Sequence, residues 1–203
     1  MDGNAPILIV SRHRNEAMED SATASLLATK YNVRVLDIPF LYDFPADHSV
    51  IQRLRYLPGP TYFLVPFSPR SVKNLLGYLQ IPFVEVFETQ DAVQIDNGRM
   101  DGGELERFDE SLKPRWYPVI DISRCSACLE CVNYCLFGVY AIDENSRPFV
   151  DQPDACRDGC PACARVCPSQ AIMFPLCEDR VIAGYEQRST NDLSNLIDIV
   201  DQI

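Results

Sequence analysis

Histidine and tryptophan are scarce in this chain: two and one among 203 residues. His13 and His48 are too few for a metal site built on imidazole, and no nucleophile constellation surrounds them. Positive charge is short as well, with 18 Lys and Arg against 29 Asp and Glu and a net charge of −11. Nucleic-acid binding is driven by Lys and Arg neutralising phosphates, so this balance argues against it. No apolar run approaches the roughly 18 residues of a membrane span. Residues 1–6 hold no cation, and the run Ile7 to Val10 is too short for the hydrophobic region of a secretory signal. Neither G-x-G-x-x-G nor G-x-x-x-x-G-K-[ST] occurs, which removes the common phosphate cradles. Residues 1–124 contain no cysteine.

The cysteines lie elsewhere, and densely. Eight of the nine fall between Cys125 and Cys167. They read Cys125-x2-Cys128-x2-Cys131-x3-Cys135, then Cys156-x3-Cys160-x2-Cys163-x3-Cys167-Pro168. Four thiolates converging on one point can hold a cube of iron and sulfide, and eight can hold two. Structural zinc also takes thiolate quartets and is the main rival. A disulfide framework belongs to small secreted chains and fits less well. Cys177 lies beyond the repeat and reads as a small, half-buried side chain.

Residues 117–175 resemble the bacterial-type ferredoxins that carry two [4Fe-4S] clusters. The motifs behind the resemblance are CSACLECVNYC (125–135) and CRDGCPACARVCP (156–168). The resemblance implies that cluster I takes Cys125, Cys128, Cys131 and Cys167, and cluster II takes Cys156, Cys160, Cys163 and Cys135. Each loop then lends its last thiolate to the other cluster. Gly138–Ile142 and Ala171–Phe174 follow the two quartets at matching offsets, as an internal pseudo-repeat should. Two departures stand out. Leu136 replaces the proline that often follows the first quartet. Arg157, Asp158 and Gly159 separate Cys156 from Cys160, one residue more than usual, and Gly159 can supply the extra turn at positive φ. The second site therefore stays open to a [3Fe-4S] cluster as well as to [4Fe-4S].

Residues 1–87 alternate between strand-like and helix-like segments. Strands are expected at 6–10, 33–38, 61–65 and 82–87. A helix over 15–30 carries Met18, Ala22 and Leu26 on one face. A second, capped by Asp47 with His48 in its first turn, presents Val50, Ile51, Leu54 and Leu57. A third follows Ser68-Pro69, an N-cap with proline at the first helical position, and carries Val72, Leu75, Leu76 and Leu79. The βαβαβαβ order implies an α/β domain with a parallel sheet. Ligands of such sheets bind at the carboxyl ends of the strands. Arg12, His13 and Arg14 follow the first strand; they can hold a small anion, or else pair with acids elsewhere or dock the ferredoxin-like domain, and these latter readings are preferred.

Residues 88–115 read as an acidic linker, 116–177 as the ferredoxin-like domain, and 178–203 as a tail with an amphipathic helix carrying Leu193, Leu196, Ile197, Val200 and Ile203. Trp116 to Asp121 is expected to open the second domain as a strand, and the runs around Asp143–Ser146 to form a hairpin. Residues 116–203 carry 13 acids against 6 bases. That surface favours a redox partner with a basic docking face and a low cluster potential. The expected function is electron transfer through two clusters, as a carrier or an oxidoreductase subunit rather than a catalyst in its own right. The alternatives are an electron-fed enzyme or sensor whose α/β domain binds an anion, and a zinc-stapled structural protein. A reducing compartment suits free thiolates, so the cytoplasm is the expected location.

Overall fold

The computed structural model describes residues 5–14, 24–25, 27–28, 33–89 and 103–185. Contacts divide these into two units. One comprises the described residues of 1–66 and 79–114, the other those of 67–78 and 115–185.

The first unit is built on five parallel strands: β1 (Ile7–Ser11), β2 (Arg34–Ile38), β3 (Thr61–Val65), β4 (Glu85–Glu88) and β5 (Leu105–Arg107), in the order β4-β3-β1-β2-β5. β1 is central, pairing Ile9 with Leu36 on one side and with Phe63 on the other. All five of its residues are buried, as a parallel strand covered on both faces requires. Period-2 alternation sends Leu8, Val10, Val35 and Leu64 to one face. There they pack with Ala24, Leu27 and Ala28, all in helical conformation. Met18, Ala22 and Leu26, expected on the face of that helix, lie outside the described residues.

Helix α1 (Ser49–Arg55) buries Val50, Ile51 and Leu54, as its spacing predicts. Its N-cap is His48 rather than Asp47: the imidazole Nδ1 accepts a hydrogen bond from the Val50 N–H at 3.3 Å. His48 also packs edge-on against Phe44, which explains why the ring rather than a carboxylate takes the cap. Leu57 lies past the helix end and is half-buried. β4 starts at Glu85, three residues later than expected. Pro82 has no N–H for the ladder, and the first main-chain bond to β3 comes from the Val84 N–H to the Thr61 carbonyl. β5 sits in the stretch read as a linker. It is a three-residue edge strand with one apolar side chain, so no hydrophobic run announces it.

The arginines after β1 are committed within this unit. Arg12 is 5% exposed and its Nε lies 3.4 Å from Asp37 Oδ1, a carboxylate with no exposure at all. It also donates to the carbonyls of Ile38 and Phe108. Arg107 approaches the other oxygen of Asp37 at 3.4 Å. Arg14 makes a two-pronged pair with Asp43, with Nε 2.8 Å from Oδ2. These pairs match one of the preferred readings of the loop, in which its cations answer acids of the same chain. Asp37→Ala should lower the unfolding free energy by about 3 kcal/mol, because Arg12 would stay buried without its partner. Glu106→Ala, which removes the half-exposed pair with Arg53, should cost about 1 kcal/mol at most. Urea unfolding of the two variants checks the contrast.

Candidate metal centre

The second unit has little regular structure. Strand β6 (Val119–Ile120) pairs antiparallel with β9 (Ile172–Met173), and β7 (Tyr140–Ile142) forms a hairpin with β8 (Pro148–Val150). The hairpin turn is held by Asp143, whose Oδ1 accepts from the N–H groups of Asn145 and Arg147. Three helices complete it: α2 (Pro69–Tyr78), α3 (Glu130–Tyr134) and α4 (Ala162–Val166). The expected stripe Val72, Leu75, Leu76 and Leu79 is fully buried. Gly184, at φ 95°, comes so close to α2 that a Cβ there would lie 2.2 Å from Ser71 Oγ. Ser71 in turn donates to the Ala183 carbonyl.

The backbone repeats itself around the cysteines. α3 ends at Cys135 with φ −76° and ψ 110°; α4 ends at Cys167 with φ −72° and ψ 110°. Three residues after each comes a positive φ, at Gly138 (68°) and Gln170 (50°). Five residues after each a strand begins, β7 at Tyr140 and β9 at Ile172. The loop between Cys125 and Cys131 turns through left-handed residues at Ala127 (55°) and Leu129 (62°). Such conformations cost about 1–3 kcal/mol each outside glycine and gather at functional sites. Gly159, at φ 70°, takes the extra residue of the second loop, as its lack of a Cβ allows.

These turns wall two cavities with thiols. The first is lined by Cys125, Cys128, Cys131 and Cys167, together with Ile120, Pro148 and Ile172 among others. The second, about 420 Å³, is lined by Cys135, Cys156, Cys160 and Cys163, with Tyr140 and the exposed side chains of Tyr134 and Leu136. Each cavity thus gathers three cysteines of one loop and the last cysteine of the other. No disulfide joins any of the nine cysteines. Among the described residues no group of three or more His, Cys, Asp or Glu is gathered tightly enough for a single metal ion. The thiols of the second cavity ring a space instead of meeting at a point.

The thiols differ in environment. Cys131 and Cys163 are buried in the core of the unit, against Ile172, Phe174, Trp116 and Tyr140. Burial pushes Cys131 and Cys156 up to about 12 and Cys163 up to about 11. Burial also acts on Cys167, but hydrogen bonds from the Ser169 hydroxyl and the Ala171 N–H outweigh it and hold that thiol below its ordinary value. Trp116 stacks on Phe174 at 5.1 Å and donates to the Cys160 carbonyl, so it belongs to this core. Cys177 packs half-buried against the same core.

Sequence reasoning missed Asp121 and Arg70. The Asp121 carbonyl accepts from the N–H groups of Arg124 and Cys125, at the entry to the first cysteine loop. Its carboxylate accepts from the Ser123 N–H and hydroxyl, and from Arg70 Nε at 2.8 Å. Arg70 also donates to the Gln170 carbonyl, three residues past Cys167. One buried pair thereby ties the start of the first loop to the end of the second. A Ser123 two residues beyond Asp121 is an Asx-turn signal; Arg70, 51 residues away, carries no signal at all. Among the described residues no helix is long and apolar enough to cross a membrane.

Sequence comparison suggests a ferredoxin-like segment in part of the chain. The chain is 43% identical over 61 residues to an uncharacterized ferredoxin of Methanocaldococcus jannaschii. The match spans 30% of this chain and 41% of that relative. No family profile matches the chain.

Burial raises the Asp121 carboxyl, but the hydrogen bonds from Ser123 and Arg70 prevail and hold it below its ordinary value. Its contribution to stability is then present above the unfolded value of about 3.9 and is lost as pH falls through the lower folded value. Asp121→Asn should be about 2 kcal/mol less stable than the parent protein at pH 7. The gap should begin to narrow at about pH 3.9 and close as pH falls through the lower folded value. Urea unfolding across that range tests the sign, and a gap independent of pH contradicts it.

Proposed function

We propose that this protein is an electron-transfer protein whose ferredoxin-like segment, about residues 116–177, holds two [4Fe-4S] clusters and serves a larger oxidoreductase. The observation that carries this reading is the pair of thiol-lined cavities, each assembled from both cysteine loops. The ferredoxin likeness of part of the chain supports it.

In this reading Cys125, Cys128, Cys131 and Cys167 hold cluster I, and Cys135, Cys156, Cys160 and Cys163 hold cluster II. Bound there, an iron–sulfur cube takes up and releases one electron at a time. The left-handed turns at Ala127, Leu129 and Gly159 aim the thiols inward. Phe174 and Trp116 keep water from the inner faces of Cys131 and Cys163. The Ala171 N–H and the Ser169 hydroxyl stabilise negative charge on the Cys167 sulfur. Leu136, 91% exposed at the mouth of the second cavity, leaves an edge that a partner can approach. The partner presents a basic face to the acidic second half of the chain, and the cytoplasm provides the reducing surroundings the thiols need.

Zinc is the weaker reading for a geometric reason. Tetrahedral zinc draws four sulfurs to about 2.3 Å from one centre. A cube instead fills a space among them, as in the second cavity of about 420 Å³.

Anaerobically purified protein should contain about eight irons and eight sulfides per chain and show the EPR signals of reduced clusters after dithionite. Zinc without iron or sulfide contradicts the proposal.

A further inference from the structure

Tyr140 stands at the start of β7 and pairs across the hairpin with Val150. Its ring packs into the core beside Cys131 and Cys163, and it lines the second cavity with Cys135, Cys156 and Cys163. The hydroxyl is buried and makes no fully formed hydrogen bond; the group it interacts with is the Cys163 thiol. Buried hydroxyls nearly always have a partner, and the sulfur beside this one is the candidate. A phenol of ordinary acidity keeps its proton at neutral pH and can act as a donor. A cavity with a buried donor beside Cys163 on one wall and four thiols around it is shaped for a group rich in sulfur and negative charge.

We infer that the Tyr140 hydroxyl donates a hydrogen bond to sulfur in the second cavity, at or beside Cys163 Sγ, and thereby raises the reduction potential of the cluster held there. The inference rests on the iron–sulfur reading above and goes beyond it, because it assigns one side chain to one of the two sites. Adding an electron makes the sulfurs more negative. A fixed donor therefore stabilises the reduced state more than the oxidised one, and solvent contributes little where the hydroxyl is buried. Nothing corresponding stands at Ile172, the strand-starting residue of the second half-repeat, so the device separates the two potentials.

The test is an EPR-monitored redox titration of wild-type protein, Tyr140→Phe and, as a control, Tyr56→Phe, whose ring is 82% exposed in the other unit. Tyr140→Phe keeps the ring and removes only the oxygen. One of the two potentials should fall with about a tenfold loss of electron affinity, or about 59 mV for one electron. The other potential, and both potentials of Tyr56→Phe, should stay in place. Iron-loaded Tyr140→Phe with unchanged potentials overturns this inference and leaves the cluster reading standing. Wild-type protein without iron overturns both. If Tyr140→Phe loads poorly, 3-fluorotyrosine labelling of the wild-type protein strengthens the donor without changing its shape. One potential should then rise, and no shift overturns the inference.

Discussion

The second unit depends on sulfur brought together from two loops. Its strands are two or three residues long and two of its helices have five residues, too little ladder and too little helix to be stable alone. What joins them is a crossing. Three cysteines of each loop and the last cysteine of the other wall a common space. A group bound by all four thiols closes the chain on itself twice, and its binding free energy becomes folding free energy. The duplicated backbone at Cys135 and Cys167 follows from the same need, since both thiols must leave the end of a short helix and reach across to the other loop. Arg70 and Asp121 brace the crossing, one ion pair gripping both loops near their cysteines.

That arrangement also sets the chemistry. Thiols buried among Phe174, Trp116 and Ile172 resist ionisation, so negative charge is held there only where something answers it. Metal answers most of it in the proposed state. Hydrogen bonds from Ser169 and Ala171, and the one inferred from Tyr140, answer the remainder unequally at the two sites. The acids on the second half of the chain push in the other direction, opposing each added electron.

Much of this was legible in the sequence, and what was not has physical reasons. The central strands could be read because buried parallel strands are short apolar runs: Thr61–Val65 was expected and found without change. The cysteine spacing marked the loops, and Gly159 announced its positive φ. β5 was hidden because an edge strand needs main-chain partners, not apolar side chains, and Leu105-Glu106-Arg107 looks like the rest of an acidic stretch. His48 was hidden because Asp47 is the better cap in isolation, while Phe44 holds the imidazole in place. Arg70 was hidden by distance, since no local pattern links it to Asp121. Tyr140 looked like one more apolar residue in a strand; only its place in the cavity brings its hydroxyl beside Cys163.

The crossing itself is open to a direct test. In the reduced protein, EPR signatures of serine variants can be compared in pairs. Cys167→Ser should perturb the same signal as Cys128→Ser, and Cys135→Ser the same signal as Cys160→Ser. If Cys167→Ser instead matches Cys160→Ser while Cys135→Ser matches Cys128→Ser, each loop keeps its own last thiolate and the account is contradicted.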